Sequence, residues 1–119
     1  MTILVLEDDT AVLALLERLL ANHGLTVLTA RSAAEADDVV SRCLAPPDVL
    51  LSDIIIGGDN GVDYARLLKS REPSVAIIFM TGLAHRAPSA LRSGLGPVLH
   101  KPFSAQELFR AIDELSLTL

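Results

Sequence analysis

Short apolar runs alternate with segments of helical hydrophobic spacing along this chain of 119 residues. Residues 3–6 are continuously apolar, which is typical of a strand buried on both faces of a sheet. Residues 10–22 instead carry their leucines at helical intervals, and Gly24 follows where a helix would end. Because this change of period recurs five times, the sequence predicts an α/β fold, (βα)5 and doubly wound, with helices on both faces of a five-stranded parallel sheet.

The other elements follow the same pattern, and we expect one domain over residues 1–119. The predicted strands are residues 3–6, 26–29, 49–51, 75–80 and 97–100, and the predicted helices are about 10–22, 33–43, 62–70, 87–92 and 105–115. Pro97 favours an edge position for the fifth strand. The glycine-rich residues 57–61 are expected to form a turn before the third helix.

Composition and charge exclude several classes of protein. A net charge of -5 disfavours direct binding to a nucleic-acid backbone. The single cysteine, Cys43, excludes an intrachain disulfide and a cysteine-rich zinc site. No apolar run approaches the roughly 20 residues of a membrane span, and acidic residues end the first apolar run too early for a signal peptide. We therefore expect a soluble, cytoplasmic protein that does not insert into membranes.

Charged and hydroxyl side chains stand where four of the five predicted strands end. Glu7 and Asp8 follow the first strand. Asp53, Thr81 and Lys101 follow the third, fourth and fifth strands. Parallel strands bring their carboxyl ends to one rim, where such folds bind ligands. Carboxylates crowded there repel one another, and a hard cation with oxygen ligands, such as Mg2+, relieves the repulsion.

The same rim suits phosphoryl chemistry. A lysine and a hydroxyl are natural partners for phosphoryl oxygens, and a carboxylate such as Asp53 can attack phosphorus and form an acyl phosphate. Each residue taken alone also has a plain interpretation, since acids at strand ends are often loop residues or helix caps. Asp9 is the clearest example, because it stands where it could cap the first helix. The three histidines lack metal-ligand spacing and are expected to be structural or surface residues.

These residues lie in motifs that resemble a response-regulator receiver domain of two-component signalling. The motifs are Leu-Val-Leu-Glu-Asp-Asp at 4–9, Leu-Ser-Asp at 51–53 with Asn-Gly at 60–61, Phe-Met-Thr-Gly at 79–82 and Leu-His-Lys-Pro-Phe at 99–103. Each motif is common alone, but the ordered set covers essentially the whole chain. The resemblance implies a flavodoxin-like sheet with strand order 2-1-3-4-5.

The resemblance also implies a role for each rim residue. Asp53 matches the phosphoacceptor, while Asp8 matches a direct Mg2+ ligand and Glu7 an acid that acts through water. Ile55 matches the position whose backbone carbonyl binds the metal. Thr81 and Lys101 match the hydroxyl and the ammonium that meet the phosphoryl group, and the Lys101–Pro102 bond matches a cis peptide.

Partners are implied in the same way. The phosphodonor would be a phosphohistidine on a histidine kinase or a histidine phosphotransfer protein. The output surface would consist of the fourth helix, fifth strand and fifth helix. It would bind an output partner that the sequence does not name, and two copies of the chain could also pair through it. The enzymatic activity would at most be the chain's own phosphorylation and dephosphorylation. The receiver would either stand alone or form part of a longer protein, such as a hybrid sensor kinase.

The chain departs from the family pattern at several positions. Gly57 stands where proline is usual, which predicts a more mobile loop after Asp53. Gly82 replaces a small residue such as alanine, and Val98 replaces a tyrosine or phenylalanine whose ring moves inward on activation. The segment 83–90 is shorter than usual and contains Pro88, so we expect an abbreviated fourth helix.

Three alternative functions stay open. An aspartate-based Mg2+-dependent phosphohydrolase usually carries a second aspartate where Ile55 stands. A flavodoxin-like cofactor binder would need a phosphate loop rich in serine, threonine and glycine, and Glu7 and Asp8 would repel a phosphate there. A pseudo-receiver would bind protein partners without phosphotransfer. The one observation against this alternative is that the acids, the threonine and the lysine of an active receiver are all present.

Overall fold

The computed structural model describes residues 1–83 and 86–118, with side chains described as far as residue 115. The strands are β1 (Thr2–Leu6), β2 (Thr26–Ala30), β3 (Val49–Asp53), β4 (Ile55–Ile56), β5 (Asp59–Asn60), β6 (Ala76–Thr81) and β7 (Val98–His100). The helices are α1 (Thr10–Asn22), α2 (Ala33–Ser41), α3 (Gly61–Arg71), α4 (Ala87–Ser93) and α5 (Ala105–Thr118). In the described part of the chain, no helix combines the length and the apolar character that a membrane crossing requires.

Five strands form one parallel sheet in the order β2-β1-β3-β6-β7. Counting only the strands of this sheet, the order is 2-1-3-4-5, so the predicted flavodoxin-like fold is confirmed. In the register, Asp53 lies opposite Met80 and Thr81 lies opposite His100. The predicted rim residues therefore stand at one edge of the sheet.

The strands alternate their side chains between two apolar layers. Leu4 and Leu50 join the layer under α2, α3 and α4, whereas Val5 and Leu51 join the layer under α1 and α5. Burying one such side chain contributes about 1.5–3 kcal/mol. Because both faces are covered, the central strands are mostly apolar, and charged side chains follow or close them at their carboxyl ends.

Side-chain caps fix where α1 and α5 begin. Asp9 accepts hydrogen bonds from the backbone amides of Ala11 at 3.0 Å and Val12 at 3.1 Å, so it caps α1 as its plain interpretation predicted. Ser104 and Glu107 bond reciprocally at the start of α5, with the Glu107 amide 3.0 Å from the Ser104 hydroxyl. The caps place the first turns of α1 and α5 beside the rim.

The predicted turn in residues 57–61 is present, but it lies within a short hairpin that was not predicted. The strands β4 and β5 pair as an antiparallel hairpin, whose two-residue turn is Gly57 and Gly58. Gly57 has a φ of +57°, and a positive φ at the first turn position alone fits a type II′ turn. The glycine-rich composition predicted the turn correctly, but two residues on each side are too few to give a recognisable strand pattern.

Two smaller differences concern element ends, and one expectation about α4 is met. The helix α2 ends at Ser41, so Cys43 lies beyond it rather than on its apolar side, and the half-buried thiol donates to the Val39 carbonyl oxygen at 3.3 Å. Pro97 stands just outside β7, which is an edge strand as predicted. The helix α4 has only seven residues and Pro88 in its first turn, as expected for an abbreviated helix.

Candidate functional site

The rim collects side chains from four strands. Glu7 follows β1 directly, Asp53 is the last residue of β3, Thr81 is the last of β6, and Lys101 follows β7. The strand order puts the two acids on neighbouring central strands, with the lysine entering from the edge. The site therefore lies at the carboxyl ends of these strands, above the apolar sheet.

Lys101 is the cation at the centre of this site. Its Nζ donates to Asp53 Oδ2 at 2.7 Å and to Glu7 Oε1 at 2.8 Å. The Glu7 side chain is only 2% exposed, compared with 14% for Asp53 and 22% for Lys101. Because both pairs are largely removed from water, screening is weak, and one ammonium holds two carboxylates at a fixed separation.

Burial changes the proton affinity of the site. It raises the pKa of Glu7 to about 7, with the neighbouring Asp53 carboxylate adding to the rise and Lys101 opposing it. Burial alone would lower the pKa of Lys101, but its hydrogen bonds to Asp53 and Glu7 outweigh this, so its pKa lies above the usual value. Lys101 is thus a permanent positive charge, whereas Glu7 changes its charge near neutral pH.

Asp8 is the third acid of the cluster and, unlike Glu7 and Asp53, it is exposed to solvent. Its Oδ2 accepts from the Gly57 amide at 3.0 Å, and its backbone carbonyl accepts from Arg31 at 3.3 Å. The Ile55 amide donates to Asp53 Oδ1 at 3.3 Å. The loop after β3 therefore reaches both carboxylates through backbone N–H groups.

The cluster fits a hard divalent cation. One carboxylate oxygen from each of Glu7, Asp8 and Asp53 lies within 4.8 Å of the others. The second oxygen of Glu7, Oε2, is buried and has no hydrogen-bond partner in the described part of the chain. Mg2+ prefers closely spaced carboxylate oxygens as ligands, and one of these oxygens has no other hydrogen-bond partner in the described part of the chain. Because Asp8 is exposed, water molecules that this ion retains can also reach the site.

Thr81 lies at the rim, but its hydroxyl is engaged locally. The side chain is buried, and Oγ1 accepts from the Leu83 amide at 3.0 Å and bonds the Leu83 carbonyl at 3.2 Å. This arrangement is a short turn closed by a hydroxyl. The hydroxyl would have to exchange these bonds before it could meet a ligand at Asp53.

Comparison with known proteins identifies this arrangement. Residues 3–113 match the family model described as the response regulator receiver domain. The chain belongs to the response-regulator receiver family. This match confirms the family expected from the sequence motifs.

Two curated relatives and one solved structure illustrate the relationship. The receiver is 36% identical to the DNA-binding transcriptional regulator NtrC of Escherichia coli K12 over 92% of this chain, and 30% identical to the sensor kinase CckA of Brucella abortus over 96%. It spans only 23% of NtrC and 12% of CckA. The structure of a receiver domain protein from Clostridium thermocellum has a TM-score of 0.86, 32% identity, and coverage of 96% and 92% of the two chains.

The side chains that the sequence analysis placed at one rim do lie together in the structure, but their backbone partners were not predicted. Glu7, Asp53 and Lys101 are in direct contact, and Asp8 lies beside them. The Gly57 amide was not predicted as a contact of Asp8. A glycine in place of the usual proline was the one available signal, because it restores an N–H group at that position.

The histidines take no part in this site where they are described. The His23 ring stacks on Phe109, with ring centroids 4.0 Å apart, and its Nε2 lies 3.3 Å from Asp113. His100 is exposed at the end of β7, and His85 lies outside the described residues. The expectation of structural and surface roles holds for the two described histidines.

Replacing Glu7 with glutamine is expected to change how the stability of the metal-free receiver depends on pH. A proton held by folded Glu7 stabilises the fold fully below about pH 4.5, and this stabilisation is lost as pH rises to about 7. The difference in pKa corresponds to about 3 kcal/mol. Urea unfolding in the presence of a chelator, from pH 4 to 8, should show wild type losing stability relative to Glu7→Gln over this interval.

The matched control is Glu17→Gln, an exposed change on α1 that should leave the pH profile of wild type intact. Parallel profiles for wild type and Glu7→Gln across the whole range would contradict the assignment of the raised pKa to Glu7.

Proposed function

We propose that Asp53 accepts a phosphoryl group from a phosphohistidine on a histidine kinase or histidine phosphotransfer protein, in a Mg2+-dependent reaction. The observation that carries the proposal is the double hydrogen bond of Lys101 Nζ, to Asp53 Oδ2 and Glu7 Oε1, inside a cluster of three carboxylates. A structural ion pair needs one acid, whereas this lysine is surrounded by an excess of negative charge. Such an excess suits a site that takes up a cation and a phosphoryl group together.

The transfer can be written from the chain's own atoms. An Asp53 carboxylate oxygen attacks phosphorus and forms a P–O bond, while the P–N bond to the donor imidazole breaks and its electron pair stays on the imidazole nitrogen. Lys101 lies where it can stabilise charge on a phosphoryl oxygen. A Mg2+ ion held by Asp8, Asp53 and the Ile55 carbonyl, with Glu7 behind them, would supply further positive charge to those oxygens.

Phosphorylation would then alter the output surface. On the usual phosphoamino acids it adds about -1.5 to -2 charge, which here would attract Lys101 and the Thr81 hydroxyl. Thr81 would exchange its bonds to Leu83, and this exchange would pull on the segment leading into α4. Moving a two-state equilibrium from mostly off to mostly on needs roughly 5.5 kcal/mol of differential interaction. The α4–β7–α5 face, through which two copies could pair, carries Val98 in place of a mobile ring.

The test is intact mass after incubation with a small-molecule phosphodonor and Mg2+. Wild type should gain one phosphoryl group, and Asp53→Asn should gain none. Asp63→Asn is the matched control, because Asp63 is an exposed acid on α3 that forms an ion pair with Arg66 outside the site. It should be phosphorylated like wild type.

The outcomes also separate the alternatives. Equal addition to wild type and Asp53→Asn, or none to wild type, would contradict the proposal. Repeated release of inorganic phosphate from the donor would favour a phosphohydrolase. No phosphorylation together with no measurable Mg2+ affinity would favour a pseudo-receiver.

A further inference from the structure

The turn of the β4–β5 hairpin makes a direct bond to the acidic cluster. The amide of Gly57 donates to Asp8 Oδ2 at 3.0 Å, across 49 positions of sequence. Gly57 also adopts a φ of +57°, a backbone conformation that glycine enters at little steric cost. A proline would have no N–H to donate, and its φ is fixed at about -65°. The contact therefore depends on a position at which this chain departs from the pattern of its family.

The hairpin is held in place from its other side. Asp59 accepts from the Ala33 amide, at the start of α2, at 3.0 Å. Asn60 caps α3 by accepting from the Val62 amide at 2.8 Å. The two-residue turn is thus fixed between α2 and α3, and the Gly57 amide is presented to Asp8 by a supported loop.

Asp8 is the acid that needs such support. Its side chain is exposed, whereas Glu7 and Asp53 are held by Lys101. An unrestrained surface carboxylate must lose rotamer freedom when it binds a cation. A hydrogen bond to one carboxylate oxygen fixes the group, while the second oxygen stays available, which is how neighbours commonly orient metal-binding carboxylates.

We propose that Gly57 is a positioning residue for the cation site, because its backbone N–H holds the Asp8 carboxylate in the orientation that binds Mg2+. This inference rests on the proposed function, since it assigns Asp8 as a Mg2+ ligand. It adds a residue that acts on the cation site through Asp8.

The contact itself can be tested without metal. In 15N-labelled metal-free protein, the Gly57 amide should exchange with solvent more slowly than the Gly58 amide of the same turn. Asp8→Ala should remove this protection and shift the Gly57 proton resonance upfield. A Gly57 amide with the same exchange rate in wild type and Asp8→Ala would overturn the inference.

The consequence for the cation is tested by Mg2+ titration of four proteins. Gly57→Pro should bind Mg2+ about tenfold more weakly than wild type. A loss of this size is typical when a group that orients a metal ligand is removed from a metal-binding protein. Gly57→Asn keeps the N–H and tolerates positive φ, so it should restore binding close to wild type. Gly58→Ala is the control, because a Cβ there meets nothing within 4 Å.

The outcomes distinguish this inference from the proposed function. If wild type binds Mg2+ and is phosphorylated while Gly57→Pro binds equally well, the inference fails alone. It also fails if Gly57→Asn loses as much affinity as Gly57→Pro, since the N–H would then not be the cause. If wild type neither binds Mg2+ nor is phosphorylated, the proposed function fails first, and the metal-free exchange experiment still reports on the contact.

Discussion

Lys101→Met is expected to slow phosphorylation of Asp53 by roughly 10²–10³-fold, the usual effect of removing one preorganised donor from a developing charge. Methionine keeps a long side chain but removes the ammonium that lies 2.7 Å from Asp53 and 2.8 Å from Glu7. The incoming phosphoryl oxygens would then be repelled by carboxylates that have lost their ammonium partner. Loss of the ammonium also raises the pKa of Glu7 further, because Lys101 is the partner that lowers it.

The rate is measured by intact mass over time, at saturating Mg2+ and a fixed phosphodonor concentration. Lys69→Met is the matched control, since the Lys69 ammonium donates to the Val75 carbonyl away from the rim. The control should react like wild type. Equal rates for the two lysine variants would show that Lys101 does not act on the transfer.

Gly61→Ala is expected to destabilise the receiver by about 3 kcal/mol, at the upper end of what overpacking costs. A Cβ at this position would lie 1.9 Å from the Asp53 carbonyl oxygen and 2.8 Å from the Ser52 hydroxyl oxygen. The nearest obstacle is backbone, so relief requires α3 to move away from the end of β3. The same movement would break the 2.6 Å bond from the Gly61 amide to the Ile54 carbonyl.

Thermal unfolding should report this change as a loss of about 10 °C or more for a domain of this size. Gly58→Ala, in the turn of the preceding hairpin, places its Cβ in open space and should melt close to wild type. Similar melting temperatures for the two alanine variants would mean that α3 has more freedom than its packing against Asp53 indicates.

The side chains of the site were predictable because the fold class determines where strand ends meet. Once five buried strands were recognised, Glu7, Asp53 and Lys101 had to share one rim, whatever the details of the loops. The hydrophobic period predicts that these three residues lie together, and the structure adds the distances between their side chains. The capping role of Asp9 was predictable for a similar reason, since a cap depends only on neighbours within one turn.

The backbone contributions were not predictable from residue types. The Gly57 amide donates to Asp8 across 49 positions of sequence, from a hairpin whose Asp59 bonds the start of α2. This contact depends on how distant segments pack together, which the residue types do not specify, and glycine permits either sign of φ. The bonds of Thr81 to Leu83 depend on one side-chain rotamer, which the order of motifs does not specify.

The position of Cys43 makes it a natural attachment point for a reporter group. It is the only cysteine of the chain and lies in the connection between α2 and β3, beside the fully exposed Leu44. This connection enters β3 at its amino end, whereas Asp53 closes the opposite end, and five residues of strand separate the two ends by about 15 Å. A thiol-specific fluorophore or spin label would therefore occupy a single defined place, at the end of β3 opposite to Asp53.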